Sequence, residues 1–124
     1  MNFWFRISIL FLILFILGCS KSGLKFSLKN DTDFTLKDIK VRLHDTTLFF
    51  SKLEPHSQTT WTDIYSSYTY GYMKFTDNND STYIQQPVDF VGETLCYKGE
   101  LTFIIREIDT KTKHIKTTYS LKKK

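Results

Sequence analysis

An alternation of apolar and polar side chains restricts the fold of this chain more than any other feature. In LKFSLKN (24–30) every second side chain is apolar, and DIKVRLHD (38–45) repeats the pattern. A period of two residues is typical of a β-strand that buries one face. Alanine is absent while threonine, tyrosine, phenylalanine and isoleucine are abundant, and this composition favours strands over helices. The sequence therefore predicts an all-β domain.

Strand signals recur along the chain, and clusters of turn-forming residues separate most of them. The segments are 24–30, 38–45, 46–53, 58–64, 68–76, 82–86, 101–109 and 115–121. Short strands at such regular spacing are typical of an antiparallel β-sandwich. We therefore expect an immunoglobulin-like sandwich of about seven or eight strands. A small closed β-barrel is the alternative.

The same alternation predicts which side chains point into the core. In the second segment Ile39, Val41 and Leu43 share one face, and near Ile104 and Ile105 the chain is apolar on both faces. The last segment has four side chains that we expect to point inward: Ile115, Thr117, Tyr119 and Leu121.

An apolar run precedes the strand segments. Residues 7–17 (ISILFLILFIL) carry no charge, and the run stops at Gly18, before Cys19. A helix needs about 20 apolar residues to cross a membrane, whereas the core of an export signal needs only about 7–15. The run therefore predicts a cleaved signal peptide. An uncleaved membrane helix is the alternative.

The four residues ILGC (16–19) resemble the lipobox of bacterial lipoproteins. In that family the cysteine thiol receives a diacylglycerol, the signal peptide is cut before the cysteine, and the new amino group is acylated. The resemblance implies a signal peptide at 1–18, a lipid on Cys19 and a tether at 19–23. Ser20 stands where a retention signal for the inner membrane would have aspartate, which by the same resemblance implies the outer membrane.

The remaining residues, 24–124, are enough for a single sandwich domain. LKNDTDFTLKDIKVRL (28–43) and PVDFVGETLCYKGELTFII (87–105) resemble small lipoproteins of Bacteroidota-type bacteria. That resemblance implies a β-sandwich on an outer membrane and no reaction. If Cys19 carries lipid, Cys96 has no partner for an intramolecular disulfide, and we expect it to be a small buried apolar residue. A reactive thiol or an intermolecular bridge is the alternative.

The segment YTYGYMKFT is the candidate binding face. In a strand Tyr68, Tyr70 and Tyr72 share one face, and Met73 and Phe75 share the other. Met73 and Phe75 have no polar group, so we expect them in the core and the tyrosines in an exposed ladder. Tyrosine combines apolar area with a hydroxyl group, which suits contacts with protein or sugar. The alternative is that the tyrosines cover a neighbouring strand or loop.

Motifs for catalysis or metal binding are weak. His44, His56 and His114 lie in separate segments, whereas a zinc site needs three or four convergent ligands. DNNDST (77–82) resembles a calcium loop but lacks the glycine and glutamate that an EF-hand requires, so a hairpin turn is the better interpretation. Neither a Gly-x-Ser-x-Gly elbow nor a glycine-rich phosphate loop occurs. We expect no catalytic residue, metal or cofactor.

Charge restricts the possible partners only mildly. The net charge of +4 does not require a nucleic-acid partner, and we expect none. The basic segment 111–124 is typical of a solvated edge strand whose lysines prevent edge pairing, and contact with anionic lipid headgroups is the alternative.

These features predict a lipid-anchored envelope protein, and a non-enzymatic binding or accessory module that contacts a protein or glycan. An inhibitor or immunity-type protein that blocks an exported enzyme is the first alternative. A small hydrolase is the second.

Overall fold

A computed structural model describes residues 23–87 and 94–123. The predicted signal peptide and the lipid site at Cys19 lie outside these residues. Within the described ranges the chain forms no helix that could traverse a lipid bilayer. It forms eight strands, namely β1 (Leu24–Asn30), β2 (Leu36–Arg42), β3 (Thr47–Leu53), β4 (Thr62–Ile64), β5 (Tyr72–Thr76), β6 (Thr82–Gln85), β7 (Gly99–Asp109) and β8 (His114–Lys122).

The eight strands form two four-stranded sheets, with the orders β4-β1-β7-β8 and β3-β2-β5-β6. Neighbouring strands are antiparallel except β1 and β7, which run parallel. The predicted all-β sandwich of about eight strands is therefore confirmed, with two sheets in place of one closed sheet. In the constant-type immunoglobulin order the first two strands share a sheet. Here the turn after Asn30 carries the chain from the first sheet to the second, so β1 and β2 lie in different sheets.

The core lies between the sheets and has the side chains that the alternation predicted. Leu24, Phe26 and Leu28 are fully buried, and the inward face of β2 is buried as expected. The ring of Phe26 meets that of Phe103 edge to face, with centroids 5.0 Å apart. Aromatic pairs in this geometry stabilise a core beyond the area that they bury. Apolar burial on both faces is confirmed in the middle of β7.

Polar residues make two departures from simple alternation. Ser27 points away from the core yet is fully buried, and its hydroxyl group is paired there: it hydrogen-bonds that of Thr102 (2.8 Å) and accepts from Gln58 (2.7 Å). Tyr119 lies opposite Phe103 and therefore points inward as predicted. Its side chain is nevertheless 52% exposed, because β8 is an edge strand and the second sheet does not cover this edge of the first.

The strand directions define two ends of the sandwich. β1 starts at Leu24 and ends at Asn30, whose amide group contacts the backbone of Leu53. Leu53 pairs with Leu36, the first residue of β2, so β2 starts where β1 ends. At the other end of β2, His44 contacts Tyr68, and the neighbouring Ser67 pairs with Cys96, which lies just before β7; these contacts connect the end of β2 to the end where β1 begins. We call this the entry end, and the opposite one the far end.

Candidate functional site

The tyrosines predicted as a binding face lie at the entry end, but not in one strand. β5 begins at Tyr72, opposite Arg42, and the other two tyrosines lie in the loop before it. Upstream, Ser67 exchanges two backbone hydrogen bonds with Cys96 (2.8 and 3.0 Å). The predicted strand over 68–76 is wrong in extent, since residues 68–71 belong to this loop. All three tyrosines are half-buried, so they do not form an exposed ladder.

The inward side of β5 agrees with the prediction. Met73 and Phe75 are buried, and Lys74 between them is exposed. Phe75 stacks on the buried ring of Tyr83, with centroids 5.4 Å apart. The core face of this segment was therefore predicted correctly, and only its start was not.

Two of the tyrosines stack on each other at the entry end. The rings of Tyr68 and Tyr70 are nearly parallel, at 6°, with centroids 5.5 Å apart. His44, from the hairpin between β2 and β3, meets Tyr68 edge to face at 5.4 Å. The stack therefore joins the loop before β5 to the end of β2.

Cationic side chains surround the third tyrosine. The guanidinium carbon of Arg42 lies 5.0 Å from the centroid of the Tyr72 ring, and Nζ of Lys40 lies 6.0 Å from it. Both distances allow attraction between a cation and the ring face. Lys40 also lies directly opposite Lys74, and two like charges in this position repel each other.

These groups enclose a groove of about 270 Å³ at the entry end. We call it the tyrosine groove, and its lining residues are Arg42, Leu43, His44, Tyr68, Tyr70, Gly71, Tyr72, Gln86 and Pro87. Aromatic rings give it flat apolar walls, while a guanidinium, an imidazole and an amide supply hydrogen-bonding groups. Such a combination binds a compact ligand and fixes its orientation.

Gly71 shapes the groove because the backbone packs closely there. A Cβ atom at this position would lie 2.7 Å from the carbonyl oxygen of Arg42 and 3.2 Å from the ring of Phe103. Gly71 and Tyr70 also line a second recess of about 250 Å³, which reaches Phe103 and Tyr119. Tyr70 and Gly71 therefore line both recesses and lie between them.

The histidines do not converge, and the far end has an ion cluster that the sequence did not reveal. His56 Nε2 lies 2.8 Å from Asp33, and its Nδ1 lies 3.6 Å from Asp31, which also accepts a hydrogen bond from Arg106 (2.8 Å). The hydrogen bond to Asp33 raises the pKa of His56, although partial burial opposes it. The hydrogen bond from Arg106 lowers the pKa of Asp31. Only the turn composition of NDTD (30–33) hinted at this cluster.

The hairpin turn predicted at 77–82 connects β5 to β6 and comprises residues 77–81, since Thr82 already belongs to β6. The carboxylate of buried Asp77 accepts hydrogen bonds from the backbone of Asn79 (2.8 Å) and Ser81 (3.0 Å) and from the hydroxyl group of Tyr83 (3.0 Å). Burial alone would raise the pKa of Asp77, but these hydrogen bonds outweigh it and lower the pKa. The carboxylate therefore organises its own turn.

Two further predictions concern Cys96 and the basic segment. Cys96 is half-buried and packs against the core, and it forms no disulfide with any described residue. β8 is an edge strand, as the lysines of the basic segment suggested.

Comparison with known proteins supports the fold and adds no activity. No protein-family model and no curated protein matches this chain. The chain is similar to a protein from Eubacterium rectale whose structure was solved by NMR, with a TM-score of 0.52 and 19% sequence identity. The match covers 78% of this chain and 87% of that one. At this identity the likeness shows the fold alone.

Proposed function

We propose that this chain is a lipid-anchored protein of the bacterial cell envelope, with its lipid on Cys19, in the outer membrane where the cell has one. Its sandwich is a non-enzymatic binding module that contacts a protein or a glycan. The observation that carries this proposal is the tyrosine groove, where three aromatic side chains, Arg42 and His44 converge on one recess.

The chemistry of the groove favours a partner with anionic groups. Tyrosine offers a large rigid contact area at low cost in side-chain entropy. Arg42 and Lys40 contact Tyr72, and Lys40 faces Lys74 across the strand pair. A carboxylate, sulfate or phosphate of the partner would relieve the repulsion between these cations while its apolar part covers the rings.

Capture of the partner from the native membrane tests the groove. We expect crosslinking and affinity capture with the full chain to recover a partner that Tyr70→Ala loses, with an unchanged melting temperature. Ile84→Ala is the control, since Ile84 is exposed on β6 and does not line the groove. Equal capture by Tyr70→Ala would contradict the proposal. A loss of about 3 kcal/mol or more in the free energy of unfolding would instead make Tyr70 a core residue.

Metabolic labelling tests the anchor. A clickable fatty acid should label the wild-type chain and not Cys19→Ser, because the thiol of Cys19 is the proposed attachment atom. Label that persists in Cys19→Ser, or its absence from the wild type, would contradict a lipid at this residue.

A further inference from the structure

A pair of exposed tyrosines marks the place where the chain enters the sandwich. Tyr65 directly follows β4, and Tyr97 lies just before β7. Their rings meet edge to face with centroids 5.9 Å apart, and the two residues are 74% and 51% exposed. β4 and β7 flank β1, and Leu24 lies opposite Ile64 of one and Gly99 of the other. The pair therefore lies beside the first residue of β1.

The proposed anchor lies within a short reach of this pair. Only residues 20–23 separate Cys19 from Leu24, and an extended chain over these five Cα–Cα steps spans at most about 18 Å. Because β1 begins at the entry end, a lipid on Cys19 would hold this end of the sandwich, and not the far end, close to the membrane.

The side chains at the entry end suit a membrane surface. Tyrosine has an apolar ring and a polar tip, and tyrosines are therefore enriched at the level of the lipid headgroups. Three exposed lysines lie at this end of the first sheet: Lys98 follows Tyr97, Lys122 ends β8 opposite Glu100, and Lys123 follows it. Ammonium groups complement the phosphates of anionic headgroups.

We propose that the Tyr65–Tyr97 pair is a lipid-contact site that seats the entry end of the sandwich in the headgroup layer of the anchoring membrane. This inference rests on the lipid anchor of the proposed function. The occupant is a phospholipid surface, because the short tether brings the pair to that surface whatever else the protein binds.

Site-specific photo-crosslinking tests the contact. The full chain, purified with its lipid, is reconstituted in vesicles of phosphatidylethanolamine and phosphatidylglycerol, with p-benzoylphenylalanine in place of Tyr65 or Tyr97. Phe49 and Tyr119 are control positions of matched exposure, 73% and 52%. Phe49 lies on the outer face of the other sheet, and Tyr119 lies midway along β8. Mass spectrometry measures lipid adducts at each position.

We expect lipid adducts at positions 65 and 97 to exceed those at 49 and 119 several-fold. Equal yields at matched positions, or adducts to protein instead of lipid at 65 and 97, would overturn the contact. The fatty-acid label at Cys19, measured on the same samples, separates the two proposals. A labelled chain without preferential adducts overturns the contact alone, whereas an unlabelled chain overturns the anchor and the contact together.

Discussion

Asn30 is a buried polar residue that ties three segments together at the far end. Its Nδ2 donates to the backbone carbonyl groups of Phe34 (2.6 Å), Leu53 (3.3 Å) and Glu54 (3.1 Å). Its Oδ1 accepts from both the N–H (3.1 Å) and the hydroxyl group (2.6 Å) of Thr32. The side-chain amide of Asn30 thus pairs with backbone carbonyl and N–H groups where the chain crosses between the sheets. Leaving such buried polar groups without a hydrogen-bond partner is costly.

Asn30→Ala should lower the free energy of unfolding by about 2–4 kcal/mol, because it leaves several buried donors and acceptors without partners. Urea denaturation of the full chain measures this. Asn79→Ala is the matched control: the Asn79 side chain is exposed in a turn, so we expect a change within about 0.5 kcal/mol. Equal effects of the two substitutions would contradict the role given to Asn30.

His56 makes stability depend on pH. Its pKa is raised above the ordinary value of 6.5, chiefly by the hydrogen bond to Asp33, so the folded state binds the proton more tightly than the unfolded state. Protonated His56 therefore stabilises the folded state fully below about pH 6.5. This stabilisation disappears as the pH rises through the folded-state pKa of His56. At low pH it is lost again as the carboxylate of Asp31 becomes protonated, and the hydrogen bond from Arg106 holds the pKa of Asp31 below its ordinary value.

Thermal melts of the wild type and His56→Asn across pH test this dependence. Asparagine is the matched replacement because His56 has a positive φ of 56°, which asparagine tolerates well. The wild type should melt higher at mildly acidic pH, and the two curves should converge at alkaline pH. A difference that stays constant with pH would exclude protonation of His56 as its source.

The β5–β6 hairpin is held by the hydrogen bond between Asp77 and Tyr83. A double-mutant cycle with Asp77→Ala and Tyr83→Phe should give a coupling energy of about 1–2 kcal/mol, because the bond is buried and its acceptor is charged. Additive effects in urea denaturation would show that the two residues act independently. Burial and the neighbouring carboxylate also raise the pKa of Tyr83, so its phenol should ionise above the ordinary value of 10.0.

Elements that follow a local rule were predicted well. β1 and residues 38–42 of β2 were found because one buried face imposes a period of two on the sequence, whereas residues 43–45, predicted as strand, belong to the hairpin after β2. β5 was predicted to start too early, because the alternation extends back to Tyr68 whereas the partner strand β2 ends at Arg42, opposite Tyr72. The tyrosines of the groove were identified from the sequence as candidate binding residues, but Arg42 and His44 were not. These two reach the groove only because the end of β2 lies beside the loop before β5 in the folded chain. Side-chain alternation contains no information about that placement.

At the scale of the whole molecule, we expect the fold to depend on its core and not on covalent links. Within residues 23–87 and 94–123, sixteen buried apolar side chains form one cluster, and Cys96 forms no disulfide. Far-UV circular dichroism of the full chain should therefore show a sheet spectrum and a melting temperature that a reductant leaves unchanged. A fall in melting temperature with dithiothreitol would reveal a disulfide and contradict this expectation.

The interior position of β1 has a mechanical consequence. Whatever pulls on the chain before Leu24 pulls on a strand that is bonded to β4 on one side and, over its whole length, to β7 on the other. A load along the axis of β1 shears the evenly spaced hydrogen bonds of the parallel β1–β7 pair together, whereas a load across the strands would break them one at a time. A domain tethered through this strand can transmit tension between a membrane and a captured partner before it unravels.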